Sequence, residues 1–562
     1  MVRPVTSARI PLPTHHPMRP ALVLSLALLV ASPTHAIDAA PHAESLNLPP
    51  IADGPFKPTW ESLANYQTPE WFRDAKFGIW AHWGPQCEPE DGDWYARNLY
   101  VQGTAQYQSH LANYGHPSSH GFKDVIHAWK AERFDSDALL KFYKENGAKY
   151  FMSLANHHDN MDLYDSKYQP WNSVNVGPKK DLMAGWAKAA RDHGLRFAVS
   201  VHAARAWTWY EVAQGADKDD PFAGVPYDGK LTKADGKGRW WEGLDPQDLY
   251  EQNHRPGKTL HHNFDAGRGT SLPDNAYLEK FFNRTKQLWD DYHPDQIYYD
   301  DRVLPFYDIA EEVPLKLAAH FYNSRLDQDG RTQAVMNGKH LDEMQRRTMV
   351  YDIERGRAHD ILPEPWQTDT CIGGWHYSRG IYDRKAYKSA ASIIQMLADI
   401  VSKNGNLMLS VPLRRDGQPD EQEVVIVKDI GAWLKVNGEA IYATRPWKIH
   451  GEGPSTVFFE EGRHGDQPDV SKKPYTAEDI RYTASKDGRT LYAIVCGRPA
   501  GPVALKSLGQ TRALLDRPVA TIEQLGSTET IAWSLGPEAL TVTPASAKPV
   551  SDAAVAFKIT LQ

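Results

Sequence analysis

Short apolar runs alternate with longer amphipathic segments between about residues 71 and 411. The apolar runs predict buried β-strands and the amphipathic segments predict helices. Repeated alternation of the two indicates an α/β fold of parallel strands with crossover helices, so the leading architecture is a (β/α)8-like barrel. A doubly wound sheet is the alternative, but no Gly-x-Gly-x-x-Gly turn opens a helix near the first strand. The predicted strands are 77–83, 150–155, 196–202, 296–300, 333–337, 349–353 and 406–411, and the predicted helices are 135–146, 181–193, 275–292, 309–326 and 386–403.

The pattern changes after a further predicted helix at 422–436. Short alternating segments, such as 489–495 and 554–561, are separated there by Gly, Pro and Asp turns. This pattern predicts a C-terminal antiparallel β-sandwich over residues 446–562, after a catalytic domain over residues 61–445. Residues 37–60, rich in Pro and Ala, are predicted to be a linker or an N-terminal strap. Residues 208–274 exceed an ordinary connection and are predicted to form an insertion on the catalytic rim.

The N-terminus has the pattern of an export signal. Arg19 precedes an apolar run at 21–31, and small residues follow up to Ala36. We expect residues 1–36 to be a cleaved signal peptide and the protein to be periplasmic or secreted. The apolar run is too short for a membrane anchor, which needs about 20 residues. Met18 is an alternative first methionine of the signal.

The net charge limits the expected partners, and the cysteine content limits the disulfides and zinc sites that the chain can form. The formal net charge is -8 and the chain has no long basic run, so neither nucleic acid nor an anionic membrane is an expected partner. The three cysteines, Cys87, Cys371 and Cys496, allow at most one disulfide and do not have zinc-ligand spacing. An oligomer is possible.

Polar side chains follow the predicted strands where a barrel carries its chemistry, at the carboxyl ends. Histidines at these ends could surround a zinc or iron ion, but the chain has no His-x-His or His-Glu-x-x-His pattern. Neutral imidazoles also bind sugar hydroxyls, so we favour a sugar site with no metal and no cofactor. The strand-end residues are His82, the run from Asn156 to Asp159, His202, Asp300, Asp301, Glu354 and Arg355.

Two of these carboxylates fit glycoside hydrolysis. Retaining glycosidases need a nucleophilic carboxylate and a carboxylic acid about 5 to 5.5 Å apart, and Asp300 and Glu354 end different strands. Structural roles are the alternatives. Asp300 could cap a helix, and Glu354 could pair with Arg355 or Arg357.

Longer motifs carry a family resemblance. From about Thr59 to Trp447 the chain resembles the α-L-fucosidases of glycoside hydrolase family 29. The resemblance implies a (β/α)8-like domain, a C-terminal β-sandwich, retention of configuration and no metal. The motifs are FGIWAHWGP, DWYARNLY, NHHDNMDLYDSKY, DQIYYDD, WQTDTCIGGWHY, IVSKNGNLMLSVPLRRDG and GAWLKVNGEAIYATRPW.

The resemblance also implies roles for the carboxylates. Asp300, in Ile297-Tyr298-Tyr299-Asp300, matches the family's nucleophile and so outranks Asp301. Glu354, in YDIERG, best resembles the family's acid/base, and Glu364 is the runner-up because this residue varies in position among members.

The remaining matches concern substrate binding, and some depart from the family. Asp93 stands where members commonly have Glu, Lys339 stands in the place of an Arg, and His202 occurs where many members have a Tyr-Tyr-Ser strand end. Tyr298 and Trp375 are candidates for an apolar patch against the fucose C6 methyl, with ordinary barrel packing as the alternative. The full predicted substrate-binding set is His82, Asp93, Trp94, His157, His158, His202, Tyr298, Lys339 and Trp375.

The sequence therefore predicts an exo-acting retaining α-L-fucosidase that removes terminal α-L-fucosyl residues from oligosaccharides or glycoconjugates by double displacement. One alternative is a related α-L-glycosidase, such as an α-L-galactosidase, on the same fold, because the two sugars differ by one hydroxyl on C6. Another is a non-catalytic carbohydrate-binding protein, although such a protein has no need of both carboxylates.

Overall fold

The computed structural model describes residues 45–254, 271–455 and 474–562. The predicted signal peptide and residues 255–270 of the predicted rim insertion lie outside the described residues. Within the three described ranges, every helix is too short or too polar to cross a membrane.

Eight parallel strands close into a barrel in sequence order, so that β1 pairs with both β2 and β8. Nearly every residue of these strands is buried, as expected of strands that have side chains inside the barrel on one face and helices on the other. The predicted α/β barrel is confirmed. The barrel strands are β1 (Phe77–Ala81), β2 (Tyr150–Asn156), β3 (Arg196–Val201), β4 (Gln296–Tyr299), β5 (Val335–Gly338), β6 (Val350–Asp352), β7 (Trp366–Cys371) and β8 (Gly405–Ser410).

Helices surround the barrel and several begin at a capping carboxylate. Asp135, Asp181 and Asp274 each accept a hydrogen bond from a backbone N–H in the first turn of the helix that follows. The helices are α1 (Trp60–Leu63), α2 (Glu70–Ala75), α3 (Tyr95–Asn98), α4 (Ala105–Asn113), α5 (Phe122–Ala128), α6 (Ser136–Glu145), α7 (Leu182–Asp192), α8 (Ala206–Trp209), α9 (Gln247–Tyr250), α10 (Asn275–Tyr292), α11 (Glu312–Asn323), α12 (Arg379–Arg384), α13 (Ala390–Ser402) and α14 (Glu421–Asn437).

The C-terminal residues form two antiparallel sheets, which confirms the predicted antiparallel β-fold after the barrel. The five-stranded sheet has the order β13-β16-β11-β10-β9 and the three-stranded sheet has the order β12-β15-β14. Apolar side chains from both sheets share one buried cluster. The strands are β9 (Arg445–Glu452), β10 (Ile480–Ala484), β11 (Thr490–Val495), β12 (Val503–Leu505), β13 (Val519–Gln524), β14 (Trp533–Leu535), β15 (Leu540–Val542) and β16 (Val555–Leu561).

A buried ion cluster joins the barrel to the five-stranded sheet. Asp399 of α13 accepts hydrogen bonds from Arg481 Nε of β10 at 2.6 Å and from Lys403 Nζ at 3.0 Å. Arg357, in the β6–β7 connection, lies 3.7 Å from the same carboxylate and donates to the Tyr475 hydroxyl at 2.8 Å. The sheet therefore contacts the connection that also carries Glu354.

The described part of the rim insertion, residues 208–254, is anchored on the α3–α5 region. Asp228 accepts hydrogen bonds from the Tyr100 hydroxyl at 2.7 Å and from the Tyr250 hydroxyl and Lys123 Nζ at 2.8 Å. The Asp228 carboxylate is buried, and two of its three donors, Tyr100 and Lys123, lie outside the insertion. These hydrogen bonds therefore attach residues 208–254 to the α3–α5 region.

All three cysteines are free and buried, so the single disulfide that the sequence allowed is not formed. The chain also covers α11 with its first described residues. Asn323 of that helix accepts from the Phe56 backbone N–H and donates to the Ala52 and Phe56 carbonyls at 2.9 to 3.0 Å.

Candidate active site

The carboxyl ends of the barrel strands surround a cavity of about 350 Å³. His82 follows β1, His157 follows β2, His202 follows β3, Asp300 follows β4 and Glu354 lies just after β6. The strand-end residues that the sequence singled out therefore meet at one site, as the barrel topology requires. Its lining side chains are Trp80, His82, Asp93, Trp94, Asn98, His157, His202, Arg205, Tyr298, Asp300, Glu354, Arg355, Asp369 and Trp375.

Lys339, which follows β5, bridges two carboxylates. Its Nζ donates to Asp300 Oδ1 at 2.8 Å and to Glu354 Oε2 at 2.7 Å. Two oxygens bonded to one nitrogen at these distances lie at most about 5.5 Å apart. Retaining glycosidases have their carboxyl groups about 5 to 5.5 Å apart, whereas inverting ones need about 6.5 to 9.5 Å. The separation of Asp300 and Glu354 fits the retaining geometry.

Asp300 is held in its ionised form. Burial works against ionisation, but Lys339, a hydrogen bond from His158, the nearby ring of His202 and the charge of Arg205 together hold the pKa of Asp300 well below its usual value. The His158 Nε2 lies 3.0 Å from Asp300 Oδ2 and its Nδ1 donates to the His202 carbonyl at 2.9 Å, whereas the His202 Nδ1 lies 3.6 Å from Asp300 Oδ2. The carbonyl of His202, just after β3, thus orients the imidazole that contacts Asp300.

Asp301 has a different environment from its neighbour. Its Oδ1 lies 3.5 Å from Arg205 Nε. Burial raises the pKa of Asp301 to about 6, against the opposing charge of Arg205. The carboxylate of Asp301 is paired with Arg205, whereas that of Asp300 is shared with Lys339 and two histidines.

Three of the site histidines, His82, His157 and His202, are neutral near pH 7. Burial and neighbouring histidines hold the pKa values of His82 and His157 well below their usual value, and burial lowers the pKa of His202 to about 4. His157 Nδ1 accepts a hydrogen bond from Gln86 Nε2 at 2.8 Å, which assigns the proton to Nε2. Neutral rings of this kind can donate to and accept from sugar hydroxyls.

Asp93 and Trp94 form one side of the cavity. Asp93 accepts a hydrogen bond from His376 Nδ1 at 2.5 Å. Trp94 has a left-handed backbone with φ of 64°, and its ring meets Trp209 edge to face at 4.9 Å. A bulky residue in this conformation is strained, and such strain is typical of functional sites.

Aromatic rings supply an apolar patch next to these polar groups. The Trp80 ring lies 5.0 Å from Tyr298 and 5.5 Å from Trp375. The Tyr298 hydroxyl donates to Asp369 Oδ2 at 2.9 Å, which fixes its ring. The patch lines the same cavity as Asp300.

Glu364, the runner-up for the acid/base, does not join this site. It precedes β7, whereas the site residues follow their strands, and it lines a separate cavity together with Arg73, Arg331 and Gln333. The structure therefore places Glu364 at the amino-terminal end of the barrel, away from Asp300.

Five residues of the site escaped the sequence reasoning, one of them Asn98, which lies inside the quoted motif DWYARNLY. Trp80 and His376 lay inside the quoted motifs FGIWAHWGP and WQTDTCIGGWHY, so attention to every polar or aromatic position there would have found them. Asp369 lies in β7, which was not predicted as a strand. Arg205 follows His202 by three residues in a short helical turn, where the sequence has no signal.

Among the residues that the structure describes, two groups of side chains have possible ligand atoms within 4.8 Å of one another: His82, Asp93, His157 and His376, and His157, His158 and His202. In the first group, Asp93 already accepts from His376 and His157 already accepts from Gln86. This arrangement suits hydrogen bonding to hydroxyl groups, and the absence of a metal remains a prediction.

Comparisons with known proteins agree with this geometry. Human plasma alpha-L-fucosidase is 24% identical over 487 residues, covering 85% of this chain and 86% of that protein. Rat tissue alpha-L-fucosidase is 25% identical over 449 residues, covering 78% and 81%. A solved Thermotoga maritima alpha-L-fucosynthase has a TM-score of 0.65 at 21% identity, covering 90% of this chain and 100% of that one.

A second solved structure is a trapped covalent intermediate of an alpha-L-fucosidase from Bacteroides thetaiotaomicron. It has a TM-score of 0.58 at 17% identity and covers 92% of this chain and 100% of that one. The family model described as Alpha-L-fucosidase matches residues 46–439, which include the whole barrel and every residue that lines the cavity. The chain is therefore a member of the alpha-L-fucosidase family.

Proposed function

We propose that the protein is an exo-acting retaining α-L-fucosidase that hydrolyses terminal α-L-fucosyl residues of oligosaccharides or glycoconjugates. The observation that carries the proposal is the shared Lys339 nitrogen, which brings the Asp300 and Glu354 carboxylates within about 5.5 Å in a cavity of about 350 Å³.

In the first step, Asp300 attacks the anomeric carbon. Its low pKa keeps it ionised, and the contact from His158 orients it. Glu354 gives a proton to the glycosidic oxygen as the aglycone leaves, so a fucosyl-enzyme ester forms on Asp300.

In the second step, Glu354 takes a proton from water, and that water attacks the anomeric carbon of the fucosyl ester. The bond to Asp300 breaks and fucose leaves with its original configuration. When Glu354 acts as a base it is a carboxylate. The Lys339 ammonium donates a hydrogen bond to it and holds it in place.

Several other lining residues bind the sugar. His82, His157 and His202 offer neutral ring nitrogens to hydroxyl groups, and Asp93 offers carboxylate oxygens. The Trp80, Tyr298 and Trp375 patch accommodates the C6 methyl. A methyl pocket discriminates weakly against an added hydroxyl, so slow hydrolysis of aryl α-L-galactoside is expected beside rapid hydrolysis of the fucoside.

We also propose that the protein acts outside the cytoplasm, in the periplasm or the medium, as the export pattern of residues 1–36 indicates. Fractionation of cells that produce the full chain tests this. Recovery of an uncleaved, cytoplasmic product would contradict it.

The nucleophile is tested with Asp300→Gly on an aryl α-L-fucoside. We expect kcat to fall on the order of 10³-fold or more, with partial recovery in azide as a fucosyl azide of inverted configuration. Asp301→Gly is the matched comparison, because it removes the neighbouring carboxylate that faces Arg205. Near-normal turnover by Asp300→Gly would refute its assignment.

The acid/base is tested with Glu354→Gln beside Glu364→Gln. Glu354→Gln should lose most activity on a fucoside with a poor leaving group and less on an activated aryl fucoside, because protonation matters most for poor leaving groups. Glu364→Gln should behave as the wild type. The reverse result would assign the role to Glu364. Full activity after EDTA treatment is expected of a site without a metal.

A further inference from the structure

Two buried carboxyl groups in the barrel have no part in the proposed mechanism. Asp352 ends β6 and Asp369 lies in β7. Asp352 pairs in register with Gln367, and Asp369, two residues further along β7, has its side chain on the same face as Gln367. The two carboxyl groups therefore lie side by side in the barrel interior, and Asp369 also lines the cavity.

In each carboxyl group of this pair, one oxygen has a hydrogen-bond donor and the other has none. Asp352 Oδ2 accepts from Gln367 Nε2 at 2.8 Å, and Asp369 Oδ2 accepts from the Tyr298 hydroxyl at 2.9 Å. The two Oδ1 atoms are buried, and no donor in the described part of the chain reaches either. The register of β6 and β7 makes the two carboxyl groups direct neighbours, and each is among the groups that shift the pKa of the other. Two carboxylates have no hydrogen to share, so the contact requires a proton on one of them.

The surroundings favour that proton. Burial and the charge of Asp369 hold the pKa of Asp352 well above its usual value, against the attraction of Lys339. Burial also raises the pKa of Asp369, with Lys339 opposing and Glu354 adding to the rise. Three further groups lie against the pair in the described part of the chain, and all are uncharged near pH 7: Tyr150, Tyr298 and Gln367.

The charge of the pair acts on Lys339. Its ammonium is attracted by Asp300, Glu354, Asp369 and Asp352, in that order of strength. With one proton on the pair, the stronger attraction is toward Asp300 and Glu354. Loss of that proton adds a full negative charge near the ammonium, which then competes with Asp300 and Glu354 for it.

We propose that Asp352 and Asp369 share one proton, and that this proton keeps Lys339 engaged with Asp300 and Glu354. The second part rests on the proposed function, in which those two carboxylates react. Asp352 and Asp369 are positioning residues because they act through Lys339 and Tyr298.

The test compares Asp352→Asn with Asp352→Ala across pH. The amide introduced by Asp352→Asn donates to Asp369 in place of the proton, keeps the net charge of the protonated pair and cannot ionise. Asp352→Asn should therefore keep about 10-fold more kcat/KM than Asp352→Ala. The alkaline limb of the pH profile of kcat/KM should also lie at higher pH in Asp352→Asn than in the wild type. Asp383→Asn, at an exposed ion pair on α12, is the control.

Equal activities of the Asn and Ala variants, or an unmoved alkaline limb in Asp352→Asn, would overturn the control of Lys339 by the proton. A merely structural role for Asp352 would alter stability but would not move that limb.

Infrared spectroscopy of protein labelled with ¹³C-aspartate tests the shared proton without a variant. Above pH 7 the carboxyls of Asp159 and Asp301, with pKa values of about 6, are ionised. A protonated aspartic carbonyl band should persist there, and its absence would overturn the proposal even if the variants failed to fold. Because this measurement needs no activity, its outcome is separate from that of the proposed fucosidase function.

Discussion

The family resemblance of the sequence puts Lys339 in the place of an Arg. A lysine offers a compact ammonium with three donors, whereas an arginine offers a planar fork. One Nζ reaches both Asp300 and Glu354. A lysine at this position therefore brings a single cation into contact with both carboxylates.

We expect Lys339→Met to lower kcat/KM for an aryl α-L-fucoside by about 10² to 10³-fold, since removing one preorganised donor at a reacting oxyanion has that effect. Lys339→Arg should retain more activity, because a guanidinium can also bridge two carboxylates. The exposed Lys428→Met is the control. If kcat/KM fell equally in Lys339→Met and Lys339→Arg, a positive charge at position 339 would not be what supports activity.

Sequence reasoning identified most of the individual site residues because each stood at a strand end or in a long motif. Asp300, Glu354 and Lys339 follow consecutive strands, β4, β6 and β5, and the barrel brings them together. The sequence did not predict that the Lys339 nitrogen donates hydrogen bonds to both carboxylates, because such a contact depends on side-chain conformations. Nor did it predict the pairing of Asp93 with His376, which are 283 residues apart.

One barrel strand was missed for a physical reason. β7 has the sequence Trp-Gln-Thr-Asp-Thr-Cys, with too few apolar residues to predict a buried strand. All six residues are buried, and several of their polar groups form hydrogen bonds inside the barrel, for example Gln367 with Asp352 and Tyr150 and Asp369 with Tyr298. A polar strand in a barrel core is thus a sign of an internal hydrogen-bond network and not of a loop.

The attachment of the rim insertion depends on the close approach of Asp228 to Gly121, the residue before α5. A Cβ at this position would lie 2.0 Å from Asp228 Oδ2. The glycine therefore makes room for the carboxylate that anchors the insertion to Tyr100 and Lys123 and that also binds Tyr250 of the insertion itself.

We expect Gly121→Ala to displace Asp228 and destabilise the protein by about 1 to 3 kcal/mol, the usual cost of overpacking a buried site. KM should rise as well, because Trp209 at the start of the insertion packs on Trp94. Urea unfolding and steady-state kinetics measure the two effects. Gly501→Ala, where a Cβ meets nothing within 4 Å, should change stability by less than about 0.5 kcal/mol. Equal behaviour of the two variants would contradict a role for this approach.

The barrel and the five-stranded sheet are connected by charge as well as by apolar contact. Asp399 binds Arg481 of the sheet and Lys403 of its own helix, and Arg357 reaches both Asp399 and Tyr475. Arg357 follows Glu354 by three residues, so the sheet supports the connection that carries the proposed acid/base. The sequence predicted both folds, but this cluster spans residues too distant in the chain to be paired by pattern.

We expect Asp399→Asn to lower the free energy of unfolding by about 3 to 5 kcal/mol, because it leaves buried cations without their counter-charge. Burial opposes ionisation, but Lys403, Arg481 and Arg357 hold the pKa of Asp399 below its unfolded value. Its stabilisation is therefore full above the unfolded pKa and is lost as the pH falls toward the folded pKa. Urea unfolding across pH should show a weaker acid dependence in the variant.

Asp516→Asn, at the exposed Lys448–Asp516 pair of the sheet region, is the matched control and should cost less than about 1 kcal/mol. If the two variants unfolded alike, the buried cluster would not be a principal link between barrel and sheet.

The single Lys339 nitrogen between Asp300 and Glu354 also limits how this site can evolve. A substitution that moves or weakens the ammonium changes the environment of both reacting groups at once, so the acid and alkaline limbs of the activity profile should shift as a pair. Adaptation to a new pH is therefore more accessible through residues that touch only one carboxylate, such as His158 beside Asp300, than through position 339 itself.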